Sequence, residues 1–375
     1  MPLGRYYSNI VKLKESVIIG SFSKRGIFLT KVLVGMSGGV DSSASVALLK
    51  QKGYAVGGVT LTLNESFDTE NINDAKAVCV RLGVEHFAVD LQNDFKELVI
   101  KNFIDEYIKG NTPNPCIACN KYIKFGKMLE FAKQNGYDKV ATGHYAQIEE
   151  RDGRFLLKKA KDETKDQTYV LYCLTQEQLA GALFPLGELT KAEVREFAEK
   201  QSLVNAKKKD SQDICFVPDG DYAAFIERTQ DYVSKSGDYV NLQGDKLGEH
   251  KGVIHYTVGQ RKGLGIALGK PAFVIAKDAA TNKVVLGDEE HLFYKKVLVT
   301  DLNFIPFDKL ENEMAVTAKL RYSQKEQKAI IKPLENGDVL IEFEAPQRAP
   351  SGGQSAVFYD GEYVVGGGVI VGGIE

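Results

Sequence analysis

The sequence has few cysteines, no long apolar run and almost no net charge. Its five cysteines among 375 residues lack the spacing of a disulfide framework, which excludes a small disulfide-stabilised secreted fold and favours a reducing, cytoplasmic location. No window approaches the run of about 18 apolar residues that a membrane span needs, so we expect no membrane partner. The formal net charge of −2 means that a nucleic-acid partner would have to meet a local basic face.

The amino-terminal part of the chain differs from the rest. Residues 1–30 are basic and contain several serines, but they lack the pattern of a secretory signal. We expect a disordered extension or an upstream start codon, with an organelle transit peptide as the alternative.

Residues 31–225 alternate between short apolar runs and helical periodicity. The run KVLVG at 31–35 is followed by a glycine turn and a helical pattern that stops at Gly53, and the alternation continues as far as KVATGHY at 139–145. This order predicts an α/β fold with a doubly wound parallel sheet and ligands at the carboxyl ends of its strands.

The rest of the chain predicts two β-rich domains. Residues 226–290 are rich in glycine and predict a small middle domain, whereas residues 291–375 contain a series of strand-like runs with Asn336-Gly337 and Asp360-Gly361 at hairpin positions. A C-terminal β-barrel is the simplest arrangement of so many short strands.

The segment VGMSGGVDSS at residues 34–43 lies between the first predicted strand and the first predicted helix. Its glycines, Gly35, Gly38 and Gly39, let backbone N–H groups approach an anion. The hydroxyls of Ser37 and Ser42 add further hydrogen-bonding groups around that anion. Asp41 stands where a Walker loop carries lysine, so this is not a Walker loop. The string SGGVDS resembles the pyrophosphate loop of the ATP pyrophosphatases, which implies that ATP is cleaved between its α and β phosphates.

The cysteines fall into two groups. Cys79 and Cys173 lie within apolar patterns and are predicted to be core residues. Cys116, Cys119 and Cys215 lie in polar, lysine-rich segments, NTPNPCIACNKYIKF and KKKDSQDICFV. A thiol near lysines or a helix amino terminus has a lowered pKa and is a better thiolate at neutral pH, so these three cysteines are candidates for chemistry.

Several long strings point to one family. GMSGGVDSS, TPNPCIACNKYIKF, ATGHY, KDQTYVLY, KKKDSQDICF, HYTVGQRKGLG and GQSAVFY occur in this order, and together they resemble the bacterial tRNA-specific 2-thiouridylases. The resemblance covers nearly everything after residue 30. It implies a pyrophosphatase domain of the pyrophosphate-loop type, a small middle domain and a C-terminal β-barrel that binds tRNA.

The resemblance implies an ATP-dependent sulfurtransferase. ATP, with Mg²⁺, would adenylate the C2 oxygen of the wobble uridine in tRNA, and sulfur from a protein persulfide would then displace AMP to give 2-thiouridine. The partners implied are tRNAs with lysine, glutamate and glutamine anticodons and a persulfide sulfur-donor protein. The reacting base would have to leave the anticodon stack and enter a pocket.

The resemblance also assigns roles to individual residues. Cys215 matches the cysteine that carries the persulfide, and Cys119 matches its partner thiol, with which it can form a disulfide. The ATP contacts that it implies are Gly35, Met36, Ser37, Gly38, Gly39, Val40, Asp41, Ser42, Leu61 and Gly143. The tRNA contacts that it implies are Asn114, Pro115, Cys116, His144, Lys165, Asp166, Gln167, Arg321, Tyr322 and Gln354.

Cys116 departs from the family pattern, because many members have an aspartate at this position. Cys116 could replace that aspartate as an acid or base, or it could join Cys119 and Cys215 as a ligand of a [4Fe-4S] cluster. We favour a metal-free persulfide route, since only three cysteines are placed for a cluster and a structural zinc would need a fourth ligand that the sequence does not identify.

Two other functions are compatible with parts of the pattern. A pyrophosphatase-family ligase that makes an amide or guanidine on a small metabolite would not need paired cysteines. A tRNA-binding module without catalysis would not need SGGVDS together with Cys119 and Cys215.

Overall fold

The computed structural model of this chain describes residues 29–63, 69–203, 205, 214–230 and 232–374. Residues 1–28 of the basic extension lie outside the described residues, and so does the prediction that the extension is disordered.

A five-stranded parallel sheet forms the centre of the first domain. Its strand order is β3-β2-β1-β4-β7 and all neighbouring strands are parallel. The strands are β1 (Lys31–Gly35), β2 (Ala55–Thr62), β3 (His86–Asp90), β4 (Lys139–Ala141) and β7 (Ala182–Leu183). Val32, Leu33 and Val34 of the central strand are fully buried, as expected for a strand covered by helices on both faces. The predicted α/β fold is confirmed.

Helices connect these strands and cover the sheet. They are α1 (Val40–Gln51), α2 (Thr69–Leu82), α3 (Gln92–Phe95), α4 (Lys101–Ile108), α5 (Pro115–Ala118), α6 (Met128–Gln134), α7 (Gln176–Ala180), α8 (Lys191–Lys200) and α9 (Tyr222–Gln230), with π-helical turns at Lys96–Ile100 and Cys119–Lys127. Helix α1 is almost wholly buried although it contains several serines. The hydroxyls of Ser43 and Ser45 donate to backbone carbonyls four residues earlier, at 3.0 and 2.9 Å, so their burial leaves no polar group unsatisfied.

The middle domain is a four-stranded sheet with the order β10-β11-β8-β9. Its strands are β8 (Gly237–Val240), β9 (Lys246–His250), β10 (Phe273–Asp278) and β11 (Lys283–Gly287). Strands β8 and β11 are parallel and the other pairs are antiparallel. The expected β-rich character of this part of the chain is confirmed.

The last six strands close into a barrel. They are β12 (Phe293–Phe304), β13 (Met314–Lys319), β14 (Gln327–Pro333), β15 (Val339–Arg348), β16 (Ser355–Asp360) and β17 (Tyr363–Ile374). The order β12-β15-β14-β13-β16-β17 is completed by pairing of β12 with β17. Its interior is apolar, with Ile331, Ile341 and Phe358 fully buried. The predicted C-terminal barrel is confirmed.

A hairpin of the first domain extends the barrel sheet. Strands β5 (Gln147–Arg151) and β6 (Arg154–Lys158) pair with each other, and β6 meets β17 where Lys158 pairs with Tyr363. One apolar cluster accordingly includes residues of the first domain, the middle domain and the barrel, among them Leu33, Tyr239 and Val357.

Candidate nucleotide and thiol site

The turn between β1 and α1 leaves little room for side chains. Gly38 has a φ of +72°, a conformation that favours glycine, and a Cβ there would lie 2.8 Å from the carbonyl oxygen of Asn71. A Cβ on Gly35 would lie 3.1 Å from the sulfur of Met128. The predicted glycine turn therefore exists for a steric reason, and it leaves main-chain groups to meet a ligand.

The amino terminus of α1 is suited to an anion. Gly39 is its N-cap residue and has no side chain to cap it, and the Gly39 backbone N–H donates to the Ser37 hydroxyl at a long 3.4 Å. The hydroxyl of Ser42 accepts from the backbone N–H of Ser37 at 3.3 Å and donates to the carbonyl of Gly39 at 3.1 Å. The first N–H groups of a helix, together with its partial positive charge, bind phosphate groups well.

Asp41 forms a largely buried ion pair with Lys191. Lys191 donates to both of its carboxylate oxygens at 2.8 Å, and the Tyr145 hydroxyl donates to one of them at 2.9 Å. Only 11% of the Lys191 side chain is exposed. A Walker loop carries its own lysine, whereas here the cation comes from α8, whose first turn is fixed by a capping box of Thr190 and Glu193. No local pattern in the sequence points to Lys191, which follows Asp41 by 150 residues.

Asn205 holds the loop from another side. Its side-chain amide donates to the carbonyls of Gly38 and Gly39, both at 3.0 Å, and to the hydroxyl of Ser43 at 2.8 Å. Because the C=O and N–H of a trans peptide point in opposite directions, this arrangement turns the N–H groups of Gly39 and Val40 away from Asn205. Sequence analysis missed Asn205, since it belongs to no recognisable motif.

Two expected ATP contacts lie on neighbouring elements. A Cβ on Gly143 would lie 2.8 Å from the Cβ of Asp41 and 3.0 Å from the backbone nitrogen of Ser42, so the turn after β4 packs directly on the first turn of α1. Leu61, on β2, is buried in the core. Contact of either residue with a nucleotide stays a prediction.

Cys116 and Cys119 lie one helical turn apart. The Asn114 side chain caps α5 by accepting from the backbone N–H of Cys116 at 3.1 Å, and Pro115 is the first helical residue, both of which favour a helix start. Cys116 reaches solvent, whereas Cys119 is only 8% exposed. The two thiols are therefore held at different depths.

The prediction of lowered thiol pKa values is wrong. Burial raises the pKa of Cys119 to about 11, and it also raises the pKa of Cys116 and of Cys215. The charge of Lys124 lowers all three thiol pKa values, as a nearby lysine should, but the loss of hydration raises them by more. Cys116 and Cys215 reach solvent, yet the protein surrounds each sulfur closely enough for desolvation to dominate. All three groups are therefore mainly thiols at neutral pH.

Cys215 comes to the same site from a distant part of the chain. A charge on Cys215 raises the pKa of Cys119, and a charge on Cys116 raises the pKa of Cys215, so the three sulfurs lie within electrostatic range of one another. The next residue, Phe216, anchors the segment by packing edge-on against Phe103, with ring centroids 5.4 Å apart. The structure thus brings together the three cysteines that the sequence singled out.

These cysteines do not form a metal-binding set. Within the parts of the chain that the structure describes, no group of three or more His, Cys, Asp or Glu side chains is arranged to hold a metal ion. A [4Fe-4S] cluster needs thiolates grouped around it, so the residues as placed do not fit one. Cys79 and Cys173 are buried in the core, as predicted.

Two residues that are expected to contact tRNA, Tyr322 and Asp166, lie beside Cys116. The Tyr322 hydroxyl donates to the backbone carbonyl of Asp166 at 3.4 Å, and its ring packs edge-on against Tyr169 at 5.9 Å. Burial, followed by the charges of Asp166 and Cys116, raises the pKa of Tyr322. A tyrosine of the barrel and a cysteine of the first domain therefore face one surface.

Two further expected contacts also join domains. The Gln354 side chain donates to the backbone carbonyl of Thr112. The Arg321 guanidinium donates to the carbonyls of Val258 at 3.3 Å and Ala349 at 3.0 Å. These side chains fix the barrel against the other two domains, whatever else they bind.

Other expected tRNA contacts are turned inward. His144 is buried, and its Nδ1 pairs with the Thr142 hydroxyl at 2.7 Å. Burial and the charge of Lys124 hold the pKa of His144 well below its usual range, so the ring is neutral. The side chains of Asp166 and Gln167 accept hydrogen bonds from backbone N–H groups. Contact of these residues, or of the half-buried Lys165, with tRNA stays a prediction.

Known proteins resemble the chain along most of its length. Family models match a tRNA methyl transferase HUP domain at residues 30–219, a tRNA methyl transferase PRC-barrel domain at 224–288 and an aminomethyltransferase β-barrel domain at 294–370. The tRNA-specific 2-thiouridylase MnmA of Acetivibrio thermocellus is 51% identical over 354 residues, which cover 91% of this chain and 99% of that protein. The protein of the same name from Clostridium acetobutylicum is 50% identical over 351 residues, with coverage of 91% and 99%. The chain therefore belongs to the family of tRNA-specific 2-thiouridylases.

Proposed function

We propose that the protein is an ATP-dependent tRNA sulfurtransferase that converts the wobble uridine to 2-thiouridine, with release of AMP and pyrophosphate. One observation carries the proposal. Cys119 and Cys215, which are 96 positions apart in the sequence, lie close enough for a charge on Cys215 to raise the pKa of Cys119, and they belong to the domain whose glycine loop precedes helix α1.

The first step is activation of the base. The C2 oxygen of the uridine attacks the α phosphate of ATP, and pyrophosphate departs into the loop after β1. There the N–H groups that Asn205 orients would stabilise its negative charge. Mg²⁺ would arrive on the phosphates of ATP, where it would neutralise charge.

The second step is sulfur transfer. In one route, the outer sulfur of a persulfide on Cys215 attacks C2, and Cys119 then attacks the inner sulfur, which releases the thiolated base and forms a Cys119–Cys215 disulfide. In the other, Cys119 attacks the inner sulfur first, and the hydrosulfide released as the same disulfide forms attacks C2. In both routes AMP leaves C2, and an external reductant must restore the thiols. Lys124, which favours the thiolate of each cysteine, is placed to assist proton loss.

The RNA would lie across the first domain and the barrel. The flipped uridine would enter beside Asn114, Pro115 and Cys116, and Tyr322 would stack on a neighbouring base. We further propose lysine, glutamate and glutamine tRNAs as substrates, a persulfide-carrying protein as the donor and the cytoplasm as the location. Of the described helices, none is both long and apolar enough to cross a membrane.

The test is mass analysis of nucleosides from unmodified tRNA incubated with the protein, ATP, Mg²⁺ and a persulfide source. We expect uridine to gain the mass of sulfur in place of oxygen, and we expect Cys119→Ser and Cys215→Ser to abolish this gain. Cys79→Ser, which alters a core cysteine, serves as the matched control and should retain activity. Full turnover by Cys215→Ser would refute the proposal and favour a ligase of the same superfamily.

The role of Cys116 is tested in the same assay. If Cys116 replaces an acid-base aspartate, Cys116→Asp should keep a substantial rate and Cys116→Ala should lose it. Protein purified without oxygen should contain neither iron nor acid-labile sulfide. Both in stoichiometric amounts, lost in Cys116→Ala, would show instead that this residue binds a cluster.

A further inference from the structure

Two arginines share one aromatic ring at the junction of the middle domain and the barrel. Phe273, on β10, is only 6% exposed and packs with Ala349 of the barrel. The guanidinium of Arg261 lies 5.9 Å from the ring centroid and that of Arg348 lies 5.6 Å from it. Stacking of this kind holds an arginine in place. Arg348 also donates to the carbonyl of Gly259 at a long 3.4 Å, and a guanidinium has five N–H donors, so others can bind an anion.

A third arginine lies beside this pair. Arg321 and Arg348 donate to the carbonyls of consecutive residues, Val258 at 3.3 Å and Gly259 at 3.4 Å, so the two cations are close. The pKa of Arg321 is accordingly lowered by burial and then by the charge of Arg348. Arg261 has no carboxylate partner among the described residues, and Arg348 has Glu289 at 3.5 Å in an exposed pair, which stabilises little. We call Arg261, Arg321 and Arg348 the arginine strip. The charges of Arg321 and Arg348 repel each other, and a bound anion would offset that repulsion.

The arginine strip continues the surface that contains Cys116. Arg321 is followed in the chain by Tyr322, whose hydroxyl donates to the backbone carbonyl of Asp166. A charge on Cys116 raises the pKa of Tyr322. At the other end, the loop that contains Arg261 lines an open pocket of about 440 Å³. Gly263 and Gly265 line it, with φ values of +76° and +69°, so a bulky anion can approach the backbone.

We infer that the arginine strip binds successive phosphates of the tRNA backbone outside the pocket for the reacting base. This inference rests on the proposed function. A polyanion suits the strip because three cations from two domains lie side by side, and because a chain of phosphates leading away from the flipped base would follow the same surface. Arg321 also joins the domains, so the testable members are Arg261 and Arg348.

The experiment measures tRNA binding by filter retention from 0.05 to 0.5 M KCl. We expect Arg261→Gln and Arg348→Gln each to weaken binding about tenfold at 0.1 M salt and to reduce the slope of log affinity against log salt by about 1, since each loses roughly one phosphate contact. The double variant should reduce the slope by about 2. Thermal midpoints should be unchanged or higher, because a repulsion is removed.

Arg151→Gln is the matched control, because Arg151 also lies over an aromatic ring, Tyr363 at 5.2 Å, and pairs with a carboxylate of Glu149. Its salt slope should equal that of the unaltered protein.

Unchanged slopes in both test variants, or weaker binding accompanied by a lowered thermal midpoint, would overturn the inference. Inorganic phosphate at matched ionic strength should not compete; competition only in proteins that retain the strip would identify a site for free anions instead. Absence of tRNA binding by the unaltered protein would refute the proposed function.

Discussion

A single amide side chain fixes the direction of two peptide groups in the loop after β1. Asn205 is 4% exposed, and its amide contacts the carbonyls of Gly38 and Gly39. Preorganised N–H groups bind an anion without first having to be reoriented. The strength of the loop as a pyrophosphate cradle should therefore depend on a residue more than 160 positions away from it in the sequence.

Asn205→Ala should weaken pyrophosphate binding about tenfold, and Asn205→Asp should weaken it further. Alanine loses the donors, whereas aspartate would place a carboxylate against two carbonyl oxygens, at a cost of roughly 1 to 3 kcal/mol. Titration calorimetry with magnesium pyrophosphate measures both effects.

Asn303→Ala is the control for this prediction. Asn303 also donates to two carbonyls, those of Tyr172 at 2.6 Å and Leu174 at 3.1 Å, but these lie between the barrel and the first domain. Its loss should lower stability and leave pyrophosphate affinity unchanged. Equal affinities in the Asn205 and Asn303 variants would contradict the positioning role.

The contact between α1 and the turn after β4 sets the shape of the nucleotide site. Gly143→Ala should reduce ATP affinity at least tenfold, because the new methyl would lie 2.8 Å from Asp41 and 3.0 Å from the backbone nitrogen of Ser42, forcing the first turn of α1 to shift. Nucleotide binding followed by fluorescence would measure the loss. Gly372→Ala, where a methyl would meet nothing within 4 Å, should behave like the unaltered protein.

Regular patterns made most elements predictable from the sequence. The apolar run at β1, the glycine turn and the small-residue face of α1 are local signals, and the barrel strands carry Asn-Gly and Asp-Gly turns. The β5–β6 hairpin was missed although it contains Asp152-Gly153, because its strands carry mixed polar and apolar residues. The turn has positive φ at both positions, 52° and 76°, as a tight hairpin requires.

The candidate site was less predictable than the fold. Cys116, Cys119 and Cys215 could be selected by their polar surroundings, but their pKa shifts depend on packing that sequence does not reveal, and the sign came out opposite to the prediction. Lys191 and Asn205 reach the loop only through tertiary contacts. Local sequence signals therefore identify candidate reactive groups more readily than they identify the residues that position those groups.

The apolar core crosses all domain boundaries, so the molecule should unfold as one unit. Tyr169, fully buried, donates its hydroxyl to the carbonyl of Ser355 in the barrel at 2.8 Å, and Val357 and Tyr359 belong to the same cluster as the first domain. We expect differential scanning calorimetry to show a single transition. Tyr169→Phe should lower its midpoint by about 1 °C without splitting it, since one buried hydrogen bond stabilises by about 1 kcal/mol and the entropy of unfolding is roughly 2 cal/mol/K per residue. Two resolved transitions would show that the barrel unfolds separately.

The pairing of the β5–β6 hairpin with β17 also bears on synthesis of the protein. Residues 147–158 leave the ribosome some 200 residues before Tyr363, so nascent chains carry this hairpin without its partner strand. A polypeptide cut short before the final strand retains the loop after β1 but exposes an open sheet edge and apolar surface. Proteases and chaperones recognise such features, and they would remove the fragment before it accumulates.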